Sequence, residues 1–229
     1  MLLMRSRLLA EFLGTFGLIF AGTGAIIINQ VSGGAITHVG IALTFGLVVL
    51  AMIYTFGEIS GAHLNPAVTL GFVFAGRFPS TNALPYILAQ LAGAFSASLT
   101  LRALFPASKI LGETLPAGSS AQSFILEFVL TFFLMLVVLN VSTGAKEKGI
   151  TAGIVVGSVI ALEAMFAGPI CGASMNPARS FAPAIVSGNL NHLWVYLIAP
   201  TLGALAAAPV CKILRGEQQN LLPSIPTCS

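Results

Sequence analysis

Six stretches of this chain run for about twenty residues with scarcely a charge, the length that carries an α-helix across the ~30 Å hydrocarbon core of a bilayer. They lie at roughly 7–28, 36–56, 84–104, 122–142, 150–168 and 192–213. Only 7% of the 229 residues are charged, against about 25% in soluble domains. Too few polar groups remain to clothe a water-facing surface, so the chain is read as an all-α integral membrane protein. The first stretch follows Arg5 and Arg7 as a signal peptide would. It contains Glu11, lacks a cleavage-site pattern and runs on too long, and is therefore read as a mature helix.

The net charge of +3 points to orientation rather than to nucleic acid. With an even number of spans both termini share a side, and Arg5, Arg7, Arg77, Lys146, Lys148, Lys212 and Arg215 fall there, against Arg102 and Lys109 opposite. The positive-inside rule makes the first side cytoplasmic, in a multi-pass protein of the cell membrane. The tail after Arg215 (215–229) is expected to be cytoplasmic and loosely ordered. The cysteines Cys171, Cys211 and Cys228 fit no metal spacing, and all seven acids are glutamate. Neither a metal site, a cofactor site nor a nucleophile–base constellation is expected, which argues against an enzyme.

Polarity is spent instead on one motif, twice: GAHLNPAV at 61–68 and GASMNPAR at 172–179. The repetition extends further. AEFLGTF at 10–16 matches LEFVLTF at 126–132, and YILAQLAGA at 86–94 matches YLIAPTLGA at 196–204. Glu11 and Glu127 are 116 residues apart, Tyr86 and Tyr196 are 110 apart, and Asn65 and Asn176 are 111 apart. Similar offsets over three blocks indicate a duplication, with repeat one at about 7–104 and repeat two at about 122–214, in one domain over 1–229. Each repeat holds three spans, so the second starts on the opposite face of the membrane and the two are inverted. The spaced glycines of GIVVG at 153–157 and of the ILAQLAG and APTLG segments suit close helix packing.

Each Asn-Pro-Ala opens an apolar stretch, 66–75 and 177–187, long enough for a helix across about half a bilayer. Asn is a favoured N-cap and Pro a favoured first helical residue. The preceding segments GEISGAHL and AGPICGASM are glycine-rich and are expected to unwind, which at membrane depth needs cover from protein or a water-filled cavity. Each motif therefore reads as a re-entrant loop with a half-helix. Inversion brings the two helix N-termini together near the midplane, positive dipole ends facing.

On these motifs the chain resembles the aquaporin (major intrinsic protein) family, over about residues 7–214. The string AGPICGASMNPARS is similar to the nodulin-26-like subgroup and its prokaryotic relatives. The resemblance implies six transmembrane helices plus two half-helices and a homotetramer with one pore per subunit. It also implies pore motifs Asn65, Pro66, Ala67 and Asn176, Pro177, Ala178, whose asparagines donate to water passing in single file. Unwound carbonyls in 58–64 and 168–175 would be the acceptors. Glu11 and Glu127 would brace the loops by accepting from their amides, and His63 is read as a loop-packing histidine. Glu163 is expected to meet a backbone amide.

By the same resemblance Phe45, Ala164, Ala173 and Arg179 form the selectivity filter. Water-specific relatives have histidine at the place of Ala164. Two alanines imply a wider, more apolar opening that admits glycerol and boric or arsenous acid beside water, with protons and ions excluded. Phe45 departs from the tryptophan typical of the subgroup, and Ser180 from the aspartate of dedicated glycerol facilitators. The alternatives are a water-selective channel and, further off, a secondary transporter, which also uses inverted repeats. The partners implied are membrane lipid, water and small neutral solutes, with no nucleic acid.

Overall fold

The computed structural model describes residues 2–142 and 146–221, with side chains over 3–142 and 151–216. Lys146, Lys148 and residues 217–229, including Cys228, are thus sequence-based expectations whose side chains lie outside the described residues. The described secondary structure is helical: α1 (Leu2–Val31), α2 (Thr37–Ser60), α3 (Pro66–Phe74), a 3-10 turn (Ser80–Asn82), α4 (Ala83–Leu104), α5 (Ser120–Val141), α6 (Lys146–Cys171), α7 (Pro177–Ser187) and α8 (Leu193–Leu221). Of the eight α-helices described, six are long and apolar enough to cross a membrane, all but α3 and α7. Leucines, valines and phenylalanines stay exposed along them, as a lipid-facing surface requires.

The packing follows the repeat. Helix α1 lies against α4 as α5 lies against α8, and α2 meets α6 across the two halves. The first contact has the same device in both halves. A Cβ on Gly93 would collide with the Phe12 carbonyl, and one on Gly203 with the Phe128 carbonyl. Between α2 and α6 the backbones also touch, since a Cβ on Gly46 or on Gly157 would stand 2.5 Å from the other residue's carbonyl oxygen. Small residues let membrane helices approach this closely. Each half-helix packs across the repeat boundary, α3 on α8 and α7 on α4. The halves clasp one another.

The loops before the half-helices are shorter than their glycines suggested. Helix α2 runs to Ser60, where Gly61 (φ 90°) returns its N–H to Gly57 O. Helix α6 runs through Pro169 to Cys171, and Gly172 N–H returns to Gly168 O. The expected unwound segments 58–64 and 168–175 therefore shrink to 61–64 and 172–175. A bilayer favours every backbone bond that can be made internally, so the helices persist until φ turns positive. The turn is the same in both loops: Gly61, Ala62 and Leu64 have φ of 90°, 46° and 53°, and Gly172, Ala173 and Met175 have 84°, 42° and 54°.

Candidate functional site: a pore lined by both repeats

Four non-glycine residues with positive φ, two per loop, are costly, at roughly 1–3 kcal/mol each. A buried carboxylate holds the last two amides of each loop before its asparagine. Glu11 accepts from His63 N–H (2.9 Å) and Leu64 N–H (2.8 Å), and also from Ser60 Oγ (2.7 Å) and Gln90 Nε2 (2.8 Å). Glu127 accepts from Ser174 N–H (2.7 Å) and Met175 N–H (2.8 Å). With their amides occupied, the loop backbones turn their other polar group, the carbonyl, elsewhere.

Two of those carbonyls fasten the loops together. Asn65 Nδ2 donates to Met175 O at 2.7 Å and Asn176 Nδ2 donates to Leu64 O at 2.9 Å. Each asparagine oxygen caps its own half-helix, Asn65 Oδ1 taking Ala67 N–H (2.9 Å) and Asn176 Oδ1 taking Ala178 N–H (3.0 Å). A carboxamide nitrogen has two hydrogens, so these bonds leave one on each. Pro66 and Pro177 sit at the first helical position, where no intrahelical donor is needed. Ala67 and Ala178 are fully buried beneath them.

Both asparagines line a cavity of about 110 Å³. Phe45, Ala164, Ala173 and Arg179 line it too, and Val138, Val141, Ser142 and Ala152 continue it past the asparagines. A wider cavity, bordered by Arg7, Glu58 and Arg77, shares Gly61, His63, Phe72 and Ser142 with the first. Arg179 is 3% exposed, with its guanidinium carbon 5.0 Å from the Phe45 ring centre. Its Nη1 donates to Gly112 O, while Nε has no partner among the described residues. A buried donor of this kind is costly unless something in the cavity accepts from it.

His63 is packed as well as lining. It stacks on Phe72 (4.6 Å), meets Phe78 (4.8 Å) and Tyr86 (5.2 Å), and its Nδ1 lies 3.1 Å from Thr69 Oγ1. Glu163 differs from expectation. It is buried, yet no backbone amide reaches it, and its Oε2 has no partner among the described residues. Glu58 is exposed at the wide mouth, in the last turn of α2. No group of three or more metal-ligating side chains occurs among the described residues.

Several parts of this arrangement were not foreseen. Gln90 bridges Glu11 and Thr69, and an amide inside an apolar span was a usable signal. Thr114 donates to Ser180 Oγ at 2.7 Å, and Gly112 holds Arg179. Both come from the irregular segment 105–119, whose composition carried no such sign.

Two inverted half-helices meet at paired asparagines, with an arginine and a phenylalanine at the cavity. Residues 2–210 match the family described as major intrinsic protein. This chain belongs to the major intrinsic protein family. It is 49% identical to Aquaporin NIP1-3 of Oryza sativa subsp. japonica over 216 residues, 94% of this chain and 76% of that one. It is 46% identical to Nodulin-26 of Glycine max, again over 94% of this chain and 80% of that one. Among solved structures it resembles the aquaglyceroporin from Plasmodium falciparum, with a TM-score of 0.88 and 27% identity, covering 96% of this chain and all of the other. Members of the major intrinsic protein family are channels rather than enzymes, and this member is a multi-pass membrane protein.

Proposed function

We propose that this member of the family passes water and small uncharged solutes, glycerol and boric or arsenous acid among them, while excluding protons and ions. Support comes from the filter lining. Ala164 and Ala173 are small and buried against the cavity, facing one aromatic wall and one guanidinium with an unpartnered Nε. A polyol has an apolar edge for Phe45 and hydroxyls that can accept from Arg179. That pairing offsets the water the solute sheds on entry.

Exclusion of charge follows from the midpoint. The N-termini of α3 and α7 direct positive dipole ends at the cavity, which raises a barrier to cations. One remaining N–H on each of Asn65 and Asn176 donates to the same passing water, whose hydrogens then point away along the pore. Such a water cannot hand a proton to the next. Carbonyls of 61–64 and 172–175 supply acceptors on either side. Glu11 and Glu127 act as braces, and His63 as packing at the start of the first loop. We place the protein in the cell membrane with both termini cytoplasmic, the domain spanning 1–229, assembled as a homotetramer of independent pores.

The test is the Ala164→His variant in proteoliposomes, read by stopped-flow swelling with each solute. The imidazole occupies the free volume and adds a polar wall. Water flux is expected to stay near wild type, while glycerol and arsenous acid flux falls about tenfold or more. A wild-type protein that passes water and excludes every larger neutral solute would establish the water-selective alternative instead.

A further inference from the structure

Helix α6 carries Pro169 inside its last turns. Proline has no N–H, so the carbonyl four residues earlier, that of Met165, loses its intrahelical donor. A side chain from another helix takes the place. His38 Nε2, on α2, lies 2.7 Å from Met165 O. A carbonyl only accepts, so Nε2 is the protonated nitrogen. The ring fits there because residue 168 is glycine, since a Cβ at that position would stand 2.7 Å from His38 Cε1. His38, Gly168 and Pro169 thus form one cross-helix fastening. The other repeat has no counterpart: by the Asn65-to-Asn176 offset, Glu58 stands where Pro169 would, and Glu58 has an N–H to give.

The fastening sits where it can set an opening. Helices α2 and α6 run antiparallel and touch backbone to backbone at Gly46 and Gly157. His38 and Met165 are each eight residues beyond that contact, about 12 Å along either helix at the α-helical rise. Gly46 adjoins Phe45 and Met165 adjoins Ala164. The glycine contact is therefore a pivot beside one filter wall, and the histidine bond a tie beside the opposite wall.

We propose that His38 is a specificity-determining positioning residue: by holding Met165 O it fixes the gap between Phe45 and Ala164 and so sets the largest solute admitted. This rests on the filter reading above. Without the tie the end of α6 swings away from α2 and the gap widens.

Proteoliposomes are tested by stopped-flow swelling with water, urea, glycerol and erythritol. His38→Leu is expected to raise the erythritol-to-water permeability ratio about threefold or more. His38→Gln, whose amide nitrogen reaches the same carbonyl, keeps the wild-type ratio. Pro169→Ala restores an N–H to Met165 O, so in that background His38→Leu shifts the ratio by less than about 1.5-fold. An unchanged ratio in His38→Leu overturns the proposal. So does an equal shift in the Leu and Gln variants, or a full shift in the Pro169→Ala background. If His38→Leu fails to reach the bilayer, His38→Asn, one bond too short for the carbonyl, is judged by the same criteria. A wild type that admits only water sinks the broad-solute reading alone. The tie is then judged on whether the Leu variant newly admits urea.

Discussion

The two re-entrant loops share a backbone and differ in what holds it. Both have the same three positive-φ residues, the same pair of amides on a carboxylate and the same asparagine reaching across. Around the first carboxylate, Ser60 and Gln90 add two side-chain donors, and Tyr86 Oη donates to Ser60 O at 2.9 Å. In the second half the corresponding places hold Cys171 and Pro200. The Cys171 thiol donates to Ala167 O at 3.5 Å, and the Tyr196 hydroxyl makes no bond like that of Tyr86. One polar exchange is kept in altered form: His63 with Thr69 becomes Ser174 with Ser180. The second loop has what the first lacks, Arg179, where the first repeat has Val68. Duplication supplied two equal backbones, and the side chains then divided the work: one loop is anchored more heavily, the other carries the filter.

The comparison can be broken most severely where the halves are most alike. Gly93→Ala and Gly203→Ala each drive a methyl into a carbonyl of the neighbouring helix, an overpacking against backbone that exceeds the roughly 1–3 kcal/mol of side-chain cases. Both variants are expected to lose the folded protein, to equal degree, as read by monodispersity in detergent. A tolerated Gly203→Ala beside a lost Gly93→Ala would show that the two contacts are not equivalent.

The next effect separates the halves. In Glu11→Gln the new NH2 faces two donors, whichever way the amide turns, because each carboxylate oxygen accepts two bonds. In Glu127→Gln it faces one. The first change is expected to cost about 2–3 kcal/mol and the second about 1–2 kcal/mol, as losses of bonds to a charged acceptor. Thermal unfolding of the purified variants measures the order. Equal shifts, or none, would mean that the extra donors at Glu11 brace nothing.

The smallest effect would make the halves more alike. Cys171→Ser places a hydroxyl where the first repeat has Ser60, replacing the weak thiol donor beside Glu127 with a stronger one. A gain of about 0.5–1.5 kcal/mol is expected, with unchanged water permeability. A loss of stability would show that the thiol packs better than the hydroxyl bonds.

The six spans and two half-helices could be read from the chain because a bilayer leaves few choices: length, absence of charge and the Asn-Pro start each admit one reading. The same physics explains where the reading failed. Gly57, Gly168 and Pro169 lie in segments expected to unwind, yet α2 and α6 run through them as far as Gly61 and Gly172, since backbone groups at that depth have no water to turn to. The carbonyl of Met165 shows how such a break is mended, by a histidine 127 residues away. Bonds of that kind, like Gly112 to Arg179, link positions with no local pattern between them. Chain order alone does not reveal them.

The clasp of α3 on α8 and α7 on α4 has a consequence for biosynthesis. When α3 leaves the ribosome, the helix it rests against is still unmade. At about 5–20 residues per second, α8 follows it by roughly ten seconds. Through that interval the first re-entrant segment has only the partners of its own repeat, Glu11 and the side chains of α4, and for most of it Asn65 has no Met175 carbonyl to reach. Insertion must shelter it at the translocation machinery or leave it outside the bilayer. The pore therefore closes only when the last helix arrives, and a chain cut short before α8 has no working half to offer.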